Sequence, residues 1–283
     1  MESVAILFYN VFELSGLVLL VLVLLTALLS HKVIRAGIWF NLLTAGILST
    51  ISQVLLLRRQ TGPEPARGIC FLQAILVYPL TVLCSLVGAA LLLQVYLSML
   101  LGRKSRTLSH KHVLWINVTP ILVSICVLIL SFSIGAKNPT IVDRDASGMR
   151  CHFVPNLVPN ICIGLSMVGG IMIMVLQGLV MGSLYRQKDS IYKETLNRNK
   201  LSPRVIIRVF IFNAIMMVVM ICGASVWFIK SLDDAAKFRF SNLTMALLPI
   251  GEGLIFGTQR DIMNAWMVWL RIKREDFLPP SNV

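Results

Sequence analysis

The sequence predicts an all-α membrane bundle of seven transmembrane helices followed by an amphipathic helix on the inner leaflet. Three observations predict it. Of 283 residues, 57% are apolar and only 14% charged, with a mean hydropathy of +0.80, whereas a soluble domain carries about 25% charged residues. A soluble globular domain is excluded. The net charge of +13 lies in short segments between apolar runs, so it reads as a topology signal rather than a nucleic-acid surface. Finally, cutting the chain at its charges leaves seven intervals long enough to cross about 30 Å of hydrocarbon, which takes roughly 20 helical residues.

The first interval runs from Val4 to Ser30 and is interrupted only by Glu13; the second runs from Ala36 to Leu57. The third lies between Arg67 and Arg103, the fourth between Lys111 and Lys137, and the fifth between Arg150 and Arg186, with loop residues before Pro159. The odd intervals are longer, which suggests tilt or extension. The sixth lies between Arg208 and Lys230, and the seventh between Arg239 and Arg260 with Glu252 inside it. Beyond them Ile262, Met263, Trp266, Trp269 and Leu270 recur at helical spacing among Arg260, Arg271, Lys273 and Arg274. That pattern is an interfacial helix. The expected organisation is a bundle over 1–258, an amphipathic helix over 259–275 and a cytosolic tail over 276–283.

Orientation follows from the basic residues. Seven crossings put 17 of the 26 Lys and Arg on one side, which is therefore cytosolic, with the amino end outside. Met1 to Asn10 holds Glu2 and no basic residue, so the first apolar run is expected to be a retained span rather than a cleaved signal. A plasma-membrane protein is expected. Cys84, Cys126, Cys162 and Cys222 fall inside spans, whereas Cys70 and Cys151 share the outer, oxidising side. Those two can bridge or stand as free thiols. The sequons at Asn117 and Asn242 lie at or near the bilayer, and the one at Asn138 contains Pro139; no glycan is expected.

Ionisable groups inside spans are costly, so each is a functional candidate. Glu13 lies in the outer third of its span, where it is expected to reach the interface. Glu252 is deeper, in Pro249-Ile-Gly-Glu-Gly, where proline frees a carbonyl and glycine admits a neighbouring helix. The segment reads either as a hinge that biases two packings or as a structural glutamate. Gln73, Tyr78, Asn156, Asn160 and Trp227 stand toward the outer ends of spans and are candidates to line an outward-open pocket; helix-to-helix hydrogen bonds are the alternative. The Gly178-x-x-x-Gly182 and Gly253-x-x-x-Gly257 spacings are expected to permit close packing. The polar connector between the fifth and sixth spans is mostly basic and is a candidate docking surface.

The missing chemistry narrows the class. Span seven has no lysine for a retinal Schiff base, and His31, His110, His112 and His152 form no cluster at membrane depth. No enzyme, cofactor or metal centre is expected. An ion-coupled transporter usually carries several buried charges or an inverted repeat, leaving a receptor as the first reading and a facilitative small-solute transporter as the alternative. The short outer segment before the first span favours a small molecule or short peptide, arriving from outside or from membrane lipid.

The residues then resemble a family. Trp39-Phe40-Asn41, Cys70-Phe-Leu-Gln73, Leu93-Gln94-Val95, Arg150-Cys151, Leu248-Pro249, Phe256-Gly-Thr-Gln-Arg-Asp-Ile262 and Trp266-Met-Val-Trp269 are similar to the G-protein-coupled-receptor-like proteins of mushroom-forming fungi, grouped loosely with rhodopsin-like receptors. The resemblance covers nearly the whole chain. It implies a plasma-membrane receptor for a heterotrimeric G protein and a Cys70–Cys151 bridge. Departures from rhodopsin-like receptors are Gln94-Val-Tyr96 in place of their acidic-Arg-aromatic switch, Pro249-Ile-Gly-Glu252 in place of Asn-Pro-x-x-Tyr, no buried Asp in span two, and no Cys-Trp-x-Pro in span six. The expected switch residues are accordingly Gln94, Pro249 and Glu252, with Arg103, Arg204 and Arg208 facing the G protein.

Overall fold

The computed structural model describes residues 2–30, 35–102, 108–154, 157–186, 203–226, 229 and 231–275. The apolar intervals become α1 (Glu2–Leu29), α2 (Gly37–Gln53, continued by a 3-10 turn Val54–Leu56), α3 (Arg67–Gly102), α4 (His110–Lys137), α5 (Leu157–Arg186), α6 (Pro203–Ser225) and α7 (Asp234–Gly257). Six of them are long and apolar enough to cross a membrane, and α6 contributes the shorter apolar stretch Ile207–Gly223. The polar stretch that follows turns into α8 (Arg260–Glu275). This is an all-helical, multi-pass membrane bundle. α2 ends at Gln53, short of the Leu57 that its charge-free interval predicts, because the chain tightens into the 3-10 turn Val54–Leu56 before Arg58, whose φ is 66°.

The helices bury only the side that meets a neighbour. Ile129 on α4, Ile171 on α5 and Val218 on α6 are exposed, as expected of surfaces whose solvent is lipid. The main core joins Leu20 and Val23 of α1, Leu42 and Leu43 of α2, Val87 and Leu91 of α3, Ile173 of α5, Phe212 of α6 and Phe256 of α7. α1 and α7 approach closely, at glycines. A Cβ on Gly16 would lie 2.6 Å from Pro249 Cβ, one on Gly253 2.7 Å from Leu19 Cβ, and one on Gly257 3.0 Å from Val23 Cγ2. The second glycine spacing therefore packs as expected. Gly178 and Gly182 do not: nothing lies within 4 Å of a Cβ on either, because that face of α5 points out of the bundle.

Between α4 and α5 the chain folds back as an antiparallel hairpin, β1 (Val142–Arg144) against β2 (Cys151–Phe153), with Asp143 opposite His152. Its tip descends into the bundle. Asp145, Met149, Cys151 and Phe153 are all buried, and Met149 packs with Ile6 and Tyr9 of α1 and Ala246 of α7. At the opposite end α8 turns under the bundle. Trp266 Nε1 donates to Thr26 Oγ1 of α1 at 2.6 Å, while Arg35, preceding α2, pairs with Asp261 and Gln259.

Candidate functional site

The hairpin is moored on three sides. Cys151 is disulfide-bonded to Cys70 of α3, which resolves the two alternatives for these cysteines in favour of the bridge. Beside it Gln73 of α3 is fully buried: its Oε1 accepts from the Cys151 amide at 2.8 Å, and its Nε2 donates to the Ser52 and Gln53 carbonyls at 3.0 and 3.1 Å. Gln73 thus joins helix to hairpin. Tyr9 of α1 donates to Gln53 Oε1 at 3.2 Å, carrying the network across to α1.

The second mooring is on α7. Asp145 accepts from Ser147 Oγ at 2.8 Å and from the Met149 amide at 3.1 Å through Oδ1, so the carboxylate shapes its own turn. Its Oδ2 accepts from Asn242 Nδ2 of α7 at 2.8 Å. Gly148 completes the turn with a φ of 77°, and a Cβ there would meet the Gln60 carbonyl at 2.6 Å. The third mooring is Gln60, whose amide pairs reciprocally with Asn10 of α1 at 2.6 and 3.0 Å.

Beneath this plug lies Glu13. It is 2% exposed and its Oε2 has no hydrogen-bond partner, which corrects the expectation that it reaches the interface. The hairpin packs on this end of α1, with Met149 against Ile6 and Tyr9. Further along the bundle Glu252 is buried against α2: a Cβ on Gly46 would lie 2.6 Å from its Oε2, and its Oε1 has no partner. His152 of the hairpin packs against Phe238 of α7, with ring centroids 5.4 Å apart and the rings tilted by 45°. Burial pulls its imidazole below the ordinary histidine value, against the opposing pull of the Asp145 carboxylate.

At the α8 end Arg208 of α6 reaches the last turn of α7. It donates to the Ile255 carbonyl at 3.0 Å, Thr258 Oγ1 at 3.0 Å and the Thr258 carbonyl at 2.9 Å. A guanidinium at a helix C-terminus meets both unpaired carbonyls and the negative end of the dipole. On its other side α6 accepts a hydrogen bond at the Phe210 carbonyl from Gln177 Nε2 of α5, at 3.3 Å. α6 is clasped mainly to α7.

The candidate residues fall into separate places. Gln73 and Tyr78 lie together under the hairpin, Tyr78 with its ring 5.7 Å from that of Phe153. Asn160 is exposed on the first turn of α5 and does not join them. Gln94 stands near the other end of α3 with its Oε1 buried and unpartnered, and Pro249 packs on Gly16. Arg204 belongs to the first turn of α6. Asn156, Trp227, Arg103, the connector 187–202 and the tail 276–283 lie outside the described residues. Sequence reading passed over Asp145, Ser147 and Gln60, although Asp-Ala-Ser-Gly at 145–148 is a recognisable turn signal. Asn242 entered only as a sequon.

No protein-family model matches the sequence, and no curated protein matches it. Among solved structures, the crystal structure of squid rhodopsin is similar with a TM-score of 0.71, covering 96% of this chain and 83% of that chain at 10% identity. The bundle shares the fold of rhodopsin. At this identity the likeness speaks to fold alone.

Proposed function

We propose that the chain is a G-protein-coupled-receptor-like signal transducer of the plasma membrane, of the kind its motifs resemble in mushroom-forming fungi, with the amino end outside. Its ligand is a small molecule or short peptide, and its inner partner a heterotrimeric G protein. The observation that carries this reading is the Arg208 clasp: α6 is tied to the end of α7 by one side chain, opposite a hairpin plug moored to α1, α3 and α7. A receptor needs two packings of the bundle and a ligand that prefers one of them. Displacing the hairpin would act on α1, α3 and α7 together, and loss of the clasp would let α6 swing from α7 to uncover an inner cleft.

In this reading Gln94, Pro249 and Glu252 form the bistable middle, Gln73, Tyr78, Asn156, Asn160 and Trp227 border the ligand region, and Arg103, Arg204 and Arg208 face the G protein. The experiment is co-expression with fungal G-protein α subunits, with nucleotide exchange measured against nutrients, volatiles and pheromone-like peptides. Ligand-dependent exchange is the expected result. Flux of a solute into sealed vesicles without any G protein, and no exchange, would replace the receptor with a facilitative transporter.

A further inference from the structure

We propose that His152 is a proton-operated latch, which holds the hairpin against α7 while its imidazole is neutral and releases that contact when the ring takes up a proton. The device goes beyond the receptor reading and rests on it only for the side of the membrane whose acidity is sensed. Three observations carry it. The His152 ring packs against Phe238 of α7, and its Nδ1 is buried with no hydrogen-bond partner. A neutral imidazole protonated on Nε2 leaves Nδ1 as an unused acceptor, whereas an imidazolium carries a proton there and needs an acceptor or water. Next, neighbouring residues of a strand face opposite ways. Cys151 is fastened to α3 by the disulfide and its amide by Gln73, while His152, on the other face, meets α7. The hairpin thus has a fixed edge and a releasable one. Finally, the hydrogen bonds from α7 to the hairpin come, among the described residues, from the Asn242 side chain: Nδ2 donates to Asp145 Oδ2 at 2.8 Å and to Ser147 Oγ at 3.1 Å, and Oδ1 is buried and unpartnered.

The surrounding charges do not override this. On the hairpin the Asp145 and Asp143 carboxylates and a backbone hydrogen bond to Asp143 favour the imidazolium, and Arg150 opposes it. Beside Phe238 on α7 stand Lys237, which pairs with Asp234, and Arg239. α3 contributes Cys70, held in the disulfide, and Tyr78 against Phe153; α1 contributes Tyr9. Burial outweighs the carboxylates and keeps the imidazole below its ordinary value, so the closed edge prefers the neutral ring. Once the edge lifts, water reaches Nδ1 and the value returns toward about 6.5. The open form then holds the proton more tightly, and acid favours it. As pH falls, the open-to-closed ratio rises by at most the ratio of the two acid constants.

The test uses the full chain purified in detergent, with its free cysteines Cys84, Cys126, Cys162 and Cys222 replaced by alanine. Spin labels at Ala146 of the hairpin tip and at Asp233, just before α7, both exposed, report the distance across the releasable edge. Between about pH 7.5 and about pH 5 the distribution should lengthen and broaden reversibly, with its midpoint below about pH 6.5. His152→Phe, which keeps a ring and takes up no proton, should hold the short distribution throughout. If that variant fails to fold, His152→Gln takes its place. A parent distribution that is the same at both pH values, or a variant that opens as the parent does, overturns the proposal. The measurement needs no G protein, so its failure leaves the receptor reading intact. Nucleotide exchange absent at every pH, beside a hairpin that opens in acid, would strike the receptor reading and leave the latch standing.

Discussion

Gly46 of α2 and Glu252 of α7 share one space: the position of a Gly46 Cβ is 2.6 Å from Glu252 Oε2. The carboxyl fits because the glycine has no side chain. Gly46→Ala should therefore force Glu252 to shift and cost about 1–3 kcal/mol, the usual penalty of overpacking. A lowered melting temperature in detergent checks it, and an unchanged one would show that the helices part without strain.

Glu252→Gln keeps the volume and removes the ionisable group. If Glu252 belongs to the conformational switch, both basal and ligand-stimulated nucleotide exchange should change while expression and melting temperature stay close to those of the parent. Exchange indistinguishable from the parent would take Glu252 out of the switch.

Removing the disulfide releases the hairpin. Cys70 and Cys151 are 81 residues apart, and cross-linking a loop of that length contributes about 2–4 kcal/mol by restricting the unfolded chain. Cys151→Ala should lower the melting temperature and make the hairpin tip susceptible to protease. Asn242→Leu should act on the same element from α7, costing about 1–3 kcal/mol because Oδ2 of the buried Asp145 loses the Asn242 donor.

His152 makes the hairpin sensitive to acid. Its folded pKa is depressed by burial, so between that value and the unfolded value of about 6.5 the unfolded form binds more protons. Stability should thus fall as pH falls through this window and recover as pH rises. His152→Phe keeps a ring against Phe238 and should flatten the pH dependence of the melting temperature below about pH 6.5. A slope that persists in the variant would assign it to another group.

Arg208→Ala should free α6 at the α8 end, because three hydrogen bonds to Ile255 and Thr258 disappear together. Spin labels on α6 and α7 should report a longer and broader distance, and basal nucleotide exchange should rise. A distance distribution that matched the parent would show the clasp to be incidental.

The helices were legible because their signal is local: a charge-free run of sufficient length names a span wherever it lies, and the amphipathic run expected over 259–275 appears as Arg260–Glu275. The plug was not legible. Glu13 reads as interfacial from its distance to the end of its own helix, yet it is buried, and the hairpin that packs on the same helix at Ile6 and Tyr9 comes some 130 residues later. Gln73 reads equally as a pocket residue or as a structural amide, and the hairpin backbone that occupies it is equally remote in sequence. Gly178 and Gly182 show the converse, since a spacing that permits close packing does not supply a neighbour.

The tight seam between α1 and α7, at Gly16, Gly253 and Gly257, joins the earliest crossing to the latest. During synthesis the face of α1 that bears Gly16 and Leu19 must wait in lipid, uncovered, while every intervening segment is threaded. Ring closure is therefore a late, long-range event, with the slow kinetics that such separations impose. Damage to α7 would strand α1 as an orphan for membrane quality control to recognise.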